Sequence, residues 1–159
     1  MSKEPVKKTC SMYRGQPSES AMSYSGFMVY KLAQYVQETF EEFFGDDPVK
    51  ARHFLVLRVL AREGAMTQQQ ICNALWIDRA TMVGVVQALL DLEYLKKRDN
   101  PEDKRSHLVS ITAKGERFYE RHVEEFEALD HKIFSGFQGD EMKAFRGMLR
   151  KAMAELQSR

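Results

Sequence analysis

Apolar residues recur at helical spacing along most of this chain, and the pattern predicts a series of amphipathic helices. A first helix is expected from Tyr24 to about Gly45. Its aromatic-rich stripe consists of Phe27, Tyr30, Leu32, Ala33, Val36, Phe40, Phe43 and Phe44. The pair Asp47-Pro48 is suited to cap and open a second helix that runs to about Glu63. Because residues 54–60 are apolar on several faces, we expect this second helix to be central and buried.

Two shorter helices separated by a tight turn follow. Thr67 and Gln70 have the spacing of a capping box, which predicts a helix from about Gln68 to Leu75. After a break at Trp76 and Ile77, Asp78 is a good N-cap for a helix that runs through Leu92. The inward stripe of that helix consists of Met82, Val85, Val86 and Leu89. Helix, turn, helix is the order of a DNA-binding motif whose second helix enters the major groove.

A charged β-hairpin is predicted directly after these helices, and we call it the wing. Residues 94–98 form its first strand, and residues 108–112 form a β-prone second strand after a turn at Asn100-Pro101. Because side chains two apart along a strand point the same way, Asp103 and Arg105 are expected to pair, which would hold the guanidinium extended. An extended arginine suits a narrow minor groove. The alternative is an ordinary solvated turn.

Two further helices are predicted after the wing. Thr112 can cap a long helix from about Ala113 to Phe134, and the segment Gly136 to Gly139 separates it from a last helix over residues 140–157. The apolar stripe of the last helix consists of Met142, Phe145, Met148, Leu149, Ala152, Met153 and Leu156. Such a stripe needs a cover, and together with the aromatic first helix it favours a helical dimer interface. Packing within one chain is the alternative.

The order of these motifs resembles the MarR family of bacterial transcriptional regulators. The segments that carry the resemblance are residues 54–60, Gly64, residues 66–75, residues 78–83, Tyr94-Leu95, and Asp103 to Gly115. It covers Pro48 to about Arg117 closely. The resemblance implies a mainly α fold with a small β-wing, in which dimerisation helices flank a winged helix-turn-helix. It also implies a homodimer that binds a double-stranded, pseudo-palindromic DNA operator, most often as a repressor, and that a small-molecule effector or an oxidant releases.

The chain is therefore predicted to consist of four segments. Residues 1–23 are rich in Lys, Ser, Pro and Gly and are expected to form a mobile tail, in which a short helix or strand over the dimer surface could form. Residues 24–47 are the N-terminal dimerisation helix, residues 48–112 the DNA-binding lobe, and residues 113–159 the C-terminal dimerisation helices.

The outward face of the helix that begins after Asp78 supplies the candidate base readers. They are Arg79, Thr81, Val83, Gly84 and Gln87. Arg79 could reach guanine or phosphate, Gln87 could pair with adenine, and Val83 could meet a thymine methyl. Family members often carry a Ser-Arg pair where this chain has Val83-Gly84, so an operator sequence does not carry over from them. Gly84 either lets the backbone approach the groove or leaves room for another helix.

The wing supplies the remaining candidate DNA contacts, with Asp103 as the residue that braces Arg105. They are Arg98, Lys104, Arg105 and His107. The whole chain has a formal net charge of only +1. Between Lys96 and Arg117, however, basic residues outnumber acidic ones, so the electrostatic footprint for DNA is expected to be local.

Ligand-pocket candidates follow from the resemblance, because family ligands commonly bind between the dimerisation helices and the DNA-binding lobe. They are Phe27, Tyr30, Phe54, Arg58, Trp76 and Met82. Trp76, at the turn between the reader helices, is the best single candidate. The alternative for each is a plain core position, and for Trp76 a core plug.

Other functional classes find little support in the sequence. Cys10 and Cys72 form no zinc pattern, and a redox sensor remains an alternative to the ligand-released repressor. No phosphate loop, nucleophile elbow or metal motif is present, so we expect neither an enzyme nor a cofactor. Without an apolar span or a secretory signal, the protein is expected to be cytoplasmic and not membrane-bound. A winged helix used for protein contact is the other alternative.

Overall fold

The computed structural model describes residues 17–157 of the chain. Residues 1–16 lie outside the described part, and with them Cys10 and most of the predicted tail. The helices are α1 (Glu19–Met22), α2 (Ser25–Phe44), α3 (Ala51–Glu63), α4 (Gln68–Leu75), α5 (Arg79–Asp91), α6 (Ala113–Ile133) and α7 (Asp140–Gln157). The strands are β1 (Met66–Thr67), β2 (Leu95–Asp99) and β3 (His107–Ile111). The mainly α fold with a small β-wing is confirmed.

Helix α3 forms the centre of the core, as its all-round apolar sequence predicts. Phe54, Val56, Leu57 and Leu60 are buried, and the helix contacts α4, α5 and β3. The Phe54 ring lies 5.4 Å from the ring of Tyr119, measured between centroids, which joins α3 to the first half of α6. Each fully buried side chain of this size contributes about 1.5–3 kcal/mol through the hydrophobic effect.

Helix α3 begins at Ala51, so the predicted start at Pro48 is wrong. Val49 is fully buried, and its N–H donates to Asp47 Oδ1 at 2.8 Å. Asp47 therefore caps a turn before the helix instead of the helix itself. The helix N-cap is Lys50, whose backbone N–H donates to His53 Nδ1 at 2.9 Å.

The caps of α4 and α5 form as predicted. The Gln70 N–H donates to Thr67 Oγ1, and the Thr67 N–H donates to Gln70 Oε1, which completes the capping box. The Thr81 N–H donates to Asp78 Oδ1 at 2.9 Å. Between the two helices, Trp76 takes a left-handed conformation with φ of 52° and is 45% exposed. The alternative in which Trp76 is a core plug is therefore wrong.

The three strands form an antiparallel sheet in the order β1-β3-β2. In β2 and β3, Leu95 pairs with Ile111 and Asp99 pairs with His107, so each strand lies within one residue of its predicted span. The two-residue strand β1 was not predicted, and in it Met66 pairs with Val109. A segment this short carries no alternation for a sequence pattern to detect.

The start of α6 is fixed to the base of the wing. Thr112 caps the helix as predicted, because Thr112 Oγ1 accepts from the Gly115 N–H at 3.1 Å and donates to the Glu93 carbonyl at 2.8 Å. Gly115 is buried against the Tyr94 backbone, and a Cβ built on it would overlap the Tyr94 carbonyl oxygen. This position therefore admits only glycine.

The described chain divides after Glu124 into two compact units. In the second unit, the rings of Phe134, Phe137 and Phe145 form a cluster with centroid distances of 4.9 to 6.1 Å. Several side chains of the α7 stripe stay exposed in this unit. They are Met148, Met153 and Leu156.

In the first unit, helix α2 also exposes several large apolar side chains. They are Met28, Val29, Tyr30 and Tyr35. Among residues 17–157, no helix has the length and apolar character that a membrane span requires.

We expect Gly115→Ala to lower the free energy of unfolding by about 3 kcal/mol, because a methyl group cannot fit against the Tyr94 backbone without moving it. Gly147→Ala in α7 is the matched control, because a Cβ there meets no atom of another described segment within 4 Å. That control is expected to raise the free energy of unfolding by about 0.5–1 kcal/mol through helix propensity. Urea denaturation of both variants measures the difference, and equal stabilities would contradict the close approach.

Candidate nucleic-acid interface

A groove with a volume of 540 Å³ separates the wing from the helix-turn-helix. Its walls come from the start of α4, from α5, from both wing strands and from the wing tip. The lining residues are Thr67, Gln68, Gln69, Gln70, Arg79, Val83, Lys97, Asn100, Asp103, Arg105, Ser106, His107 and Val109. The groove thus lies between the two elements for which the sequence predicts DNA contacts.

Helix α5 presents its predicted reader face to the outside. Met82, Val85, Val86 and Leu89 are buried as expected, whereas Arg79, Val83, Gly84 and Gln87 are exposed. Of these exposed positions, Arg79 and Val83 line the groove. Nothing within residues 17–157 lies within 4 Å of a Cβ built on Gly84, so no helix of this part packs into a gap there.

Two polar side chains on α5, those of Thr81 and Gln87, already have partners in the helix or at its N-cap. Thr81 Oγ1 donates to Asp78 Oδ2 at 2.6 Å, and Gln87 Nε2 donates to Asp91 Oδ1 at 2.7 Å. The hydrogen bonds from the Thr81 side chain and backbone lower the pKa of Asp78, which keeps this cap ionised. The Thr81 hydroxyl therefore supports the Asp78 cap, and it retains only acceptor capacity.

The predicted pairing of Asp103 with Arg105 is confirmed, but the reason given for it is wrong. Arg105 Nε lies 3.5 Å from Asp103 Oδ1, and the Arg105 N–H donates to the same oxygen at 3.0 Å. Both residues lie in the turn at the wing tip, beyond the ends of β2 and β3, so strand alternation does not bring them together. The Arg105 side chain is 94% exposed, so the contact directs it without covering it.

Asn100 organises the wing tip, whereas its sequence context predicted only a turn former. Its side chain is buried, its Nδ2 donates to Ser106 Oγ at 2.9 Å, and its Oδ1 accepts from the Glu102 N–H at 3.1 Å. Ser106 Oγ in turn donates to the Asp103 carbonyl at 3.1 Å. An asparagine before proline signals a turn. Its hydrogen bond to Ser106 depends on how the wing tip closes, which a local sequence pattern does not show.

The other basic candidates of the wing lie on its surface. Arg98 and Lys104 are exposed, and His107 Nε2 lies 3.7 Å from Asp99 Oδ1. Lys97 was not among the predicted contacts, yet it lines the groove. Lys97 pairs with Val109 on the central strand. Because side chains alternate between the two faces of a sheet, the alternation of residues along β2 could have identified the face on which Lys97 lies.

Gln68 and Gln69 at the start of α4 were also missed, and both line the groove. Their sequence signal was the capping box, which places them in the first turn of a helix. Their position beside the wing comes from the pairing of β1 with β3, which the sequence did not reveal. Backbone N–H groups in a first helical turn favour phosphate oxygens.

The predicted ligand-pocket residues occupy different environments. Phe54 and Met82 are fully buried, Phe27 and Arg58 are half-buried, and Tyr30 and Trp76 are exposed. None of them lines the groove beside the wing. Beside Phe54, the buried Tyr119 hydroxyl has no hydrogen-bond partner among the residues the structure describes. An unpaired buried hydroxyl costs about 1–3 kcal/mol.

The described residues contain no group of three or more side chains suited to holding a metal ion. Cys72 is buried, which agrees with its predicted place on the apolar side of α4.

A family model described as MarR family matches residues 48–106. The chain is 27% identical over 122 residues to the HTH-type transcriptional regulator PecS of Dickeya dadantii, which covers 75% of this chain and 74% of PecS. Among solved structures, it resembles BpsR of Bordetella bronchiseptica, whose DNA binding is regulated by 6-hydroxynicotinic acid. That match has a TM-score of 0.74, 29% identity, and coverage of 80% of this chain and 97% of BpsR.

A mutant MarR from E. coli in complex with operator DNA shares the fold. Its TM-score is 0.73 at 21% identity, with 80% of this chain and 91% of that chain covered.

We expect Asn100→Ala to lower the free energy of unfolding by about 1–3 kcal/mol, because two hydrogen bonds of a buried side chain are lost. Amide hydrogen exchange should also accelerate at Arg105 and Ser106, whose N–H groups donate to Asp103. Asn73→Ala on the exposed face of α4 is the matched control, with an expected change within about 0.5 kcal/mol. Unaltered exchange at the wing tip in Asn100→Ala would show that Asn100 does not organise it.

Proposed function

This chain belongs to the MarR family of DNA-binding transcriptional regulators, and from that premise we propose that it is a homodimeric repressor. The proposed partner is a double-stranded, pseudo-palindromic operator, from which a small-molecule effector releases the dimer. The matched relatives are transcriptional regulators and not enzymes.

The observation that carries the proposal is the groove between α5 and the wing. Arg79 of α5 lines one side of it, and Lys97, Arg105 and His107 of the wing line the other. With α5 in the major groove and Arg105 in the flanking minor groove, the sugar-phosphate backbone between the two would pass along this groove. The cations on both sides would then neutralise phosphates, although the whole chain has a formal net charge of only +1.

Dimerisation is supported by apolar side chains that each unit leaves exposed. In the first unit, Val29 is 55% exposed and Tyr30 is 58% exposed on α2. In the second unit, Met148 is 64% exposed and Leu156 is 66% exposed on α7. Exposed apolar groups at helical spacing favour a protein interface. We therefore assign residues 24–47 and 113–159 to dimerisation and residues 48–112 to DNA binding.

For the effector we propose a small aromatic or phenolic molecule. The pocket candidates on α3 combine an aromatic ring, Phe54, with a half-buried guanidinium, Arg58, one turn later. The unpaired Tyr119 hydroxyl beside Phe54 would offer a hydrogen bond to a polar substituent. The relation to BpsR, which 6-hydroxynicotinic acid regulates, favours the same chemical class. Burial of Cys72 disfavours this thiol as an oxidant sensor.

Selection of bound duplexes from random DNA, repeated at two salt concentrations, tests the proposed function. We expect enrichment of a two-fold symmetric site with half-sites about one helical turn apart. Weak, salt-sensitive binding without sequence preference would instead favour a winged helix that contacts protein.

Arg105→Ala is expected to weaken operator binding by about 1–3 kcal/mol while the fold stays intact, because the side chain is exposed and holds no other element. Arg121→Ala removes the same charge from the exposed surface of α6 and serves as the matched control. Fluorescence anisotropy with the selected operator measures both. Equal losses would mean that only net charge matters, and no loss in Arg105→Ala would remove the wing from the mechanism.

Leu156→Glu is expected to weaken dimerisation by about 3 kcal/mol or more, because a two-fold interface loses two copies of a leucine contact. Lys151→Glu introduces a carboxylate on the opposite face of α7 and is the control. Sedimentation equilibrium distinguishes monomer from dimer for both. A wild-type chain that sediments as a monomer, or a Leu156→Glu variant that dimerises like the control, would contradict this interface.

A further inference from the structure

The middle of the outward face of α5 is apolar. Val83 is 52% exposed and lines the groove beside the wing. Ala80 and Gly84 flank it on the same exposed surface, and nothing among the described residues lies within 4 Å of a Cβ built on Gly84. Val83 is thus a half-exposed apolar side chain on the outward face of the predicted reader helix.

The hydrogen-bonding groups on this helix are partly occupied. The Thr81 hydroxyl donates to Asp78, and Gln87 donates one N–H to Asp91. Donation from the Thr81 hydroxyl to a base acceptor would require its bond to Asp78 Oδ2 to break. Gln87 retains its Oε1 and one N–H, which are the groups needed to pair with adenine. The middle of the reader face, at Val83 and Gly84, therefore presents only methyl groups and backbone.

In the major groove, the C5-methyl group of thymine is the one apolar feature of an unmodified base edge. Valine has a stiff χ1 torsion, so its two methyl groups have a nearly fixed direction and lose little entropy on contact. The missing side chain at Gly84 leaves room for a base edge to approach the helix backbone beside Val83. Shape and chemistry of this surface thus match a methylated pyrimidine.

We propose that Val83, with the space at Gly84, reads a C5-methyl group in each operator half-site and is a specificity-determining residue. The inference rests on the proposed function, because it assumes that α5 enters the major groove of an operator. It predicts a thymine opposite Val83 in both half-sites. It also predicts that 5-methylcytosine, which carries its methyl group at the same ring position, is accepted at that step better than cytosine.

The test uses the full chain and the operator obtained by selection, with each thymine replaced in turn by deoxyuridine, which lacks only the methyl group. In each half-site, replacement of one particular thymine should lower operator affinity about fourfold, which corresponds to the transfer energy of one methyl group. Replacement of that thymine in both half-sites should lower affinity about fifteenfold. Thymines outside the half-sites serve as the DNA control, with no expected change. At the sensitive step, cytosine should bind more weakly than 5-methylcytosine.

Val83→Ala, combined with the thymine replacements in the operator, completes a double-mutant cycle. This variant should bind the thymine and deoxyuridine operators with nearly equal affinity, because the contact with the methyl group is removed. Equal affinity of the wild-type chain for both operators at every position would overturn the inference and leave the proposed function standing. A Val83→Ala variant that binds both operators more weakly by the same factor, and so keeps the thymine preference, would also overturn the inference and leave the proposed function standing. Failure to select any specific site would contradict the proposed function and this inference together.

Discussion

The geometry of the candidate interface depends on the pairing of strand β3 with both of its neighbours. This strand pairs with β2 to make the wing and with β1, which directly precedes α4. The wing is therefore hydrogen-bonded to the start of the helix-turn-helix as well as covalently joined to its end. Contact of β3 with the central helix α3 adds a third attachment. Arg79 and Arg105, which lie far apart in sequence, are brought to opposite sides of one groove by this arrangement.

Local chemistry accounts for the elements that the sequence predicted well. Capping residues such as Thr67, Asp78 and Thr112 act within three residues, so their patterns are visible in the chain. The apolar stripes of α2, α5 and α7 follow helical periodicity, which is also visible in the chain. The error at the start of α3 arose because Asp47 can cap a turn as readily as a helix, and burial of Val49 decided between them.

The parts that were missed depend on contacts between segments distant in sequence. Strand β1 exists because β3 offers it a partner, and the places of Gln68 and Lys97 in the groove follow from that pairing. Asn100 and Ser106 close the wing tip across six residues, a distance at which no simple periodicity applies. Pairing of Asp103 with Arg105 was predicted for a strand and occurs in a turn, because the carboxylate bonds the backbone N–H as well as the guanidinium.

The turn between α4 and α5 carries the only tryptophan of the sequence, Trp76, in a left-handed conformation and with nearly half of its surface exposed. Indole emission depends on the polarity around the ring, and no other residue of this chain contributes to it. The protein thus contains an intrinsic optical reporter at one position, directly before the helix that carries Arg79 and Val83. Its fluorescence follows the surroundings of this turn in the unlabelled, unmodified chain.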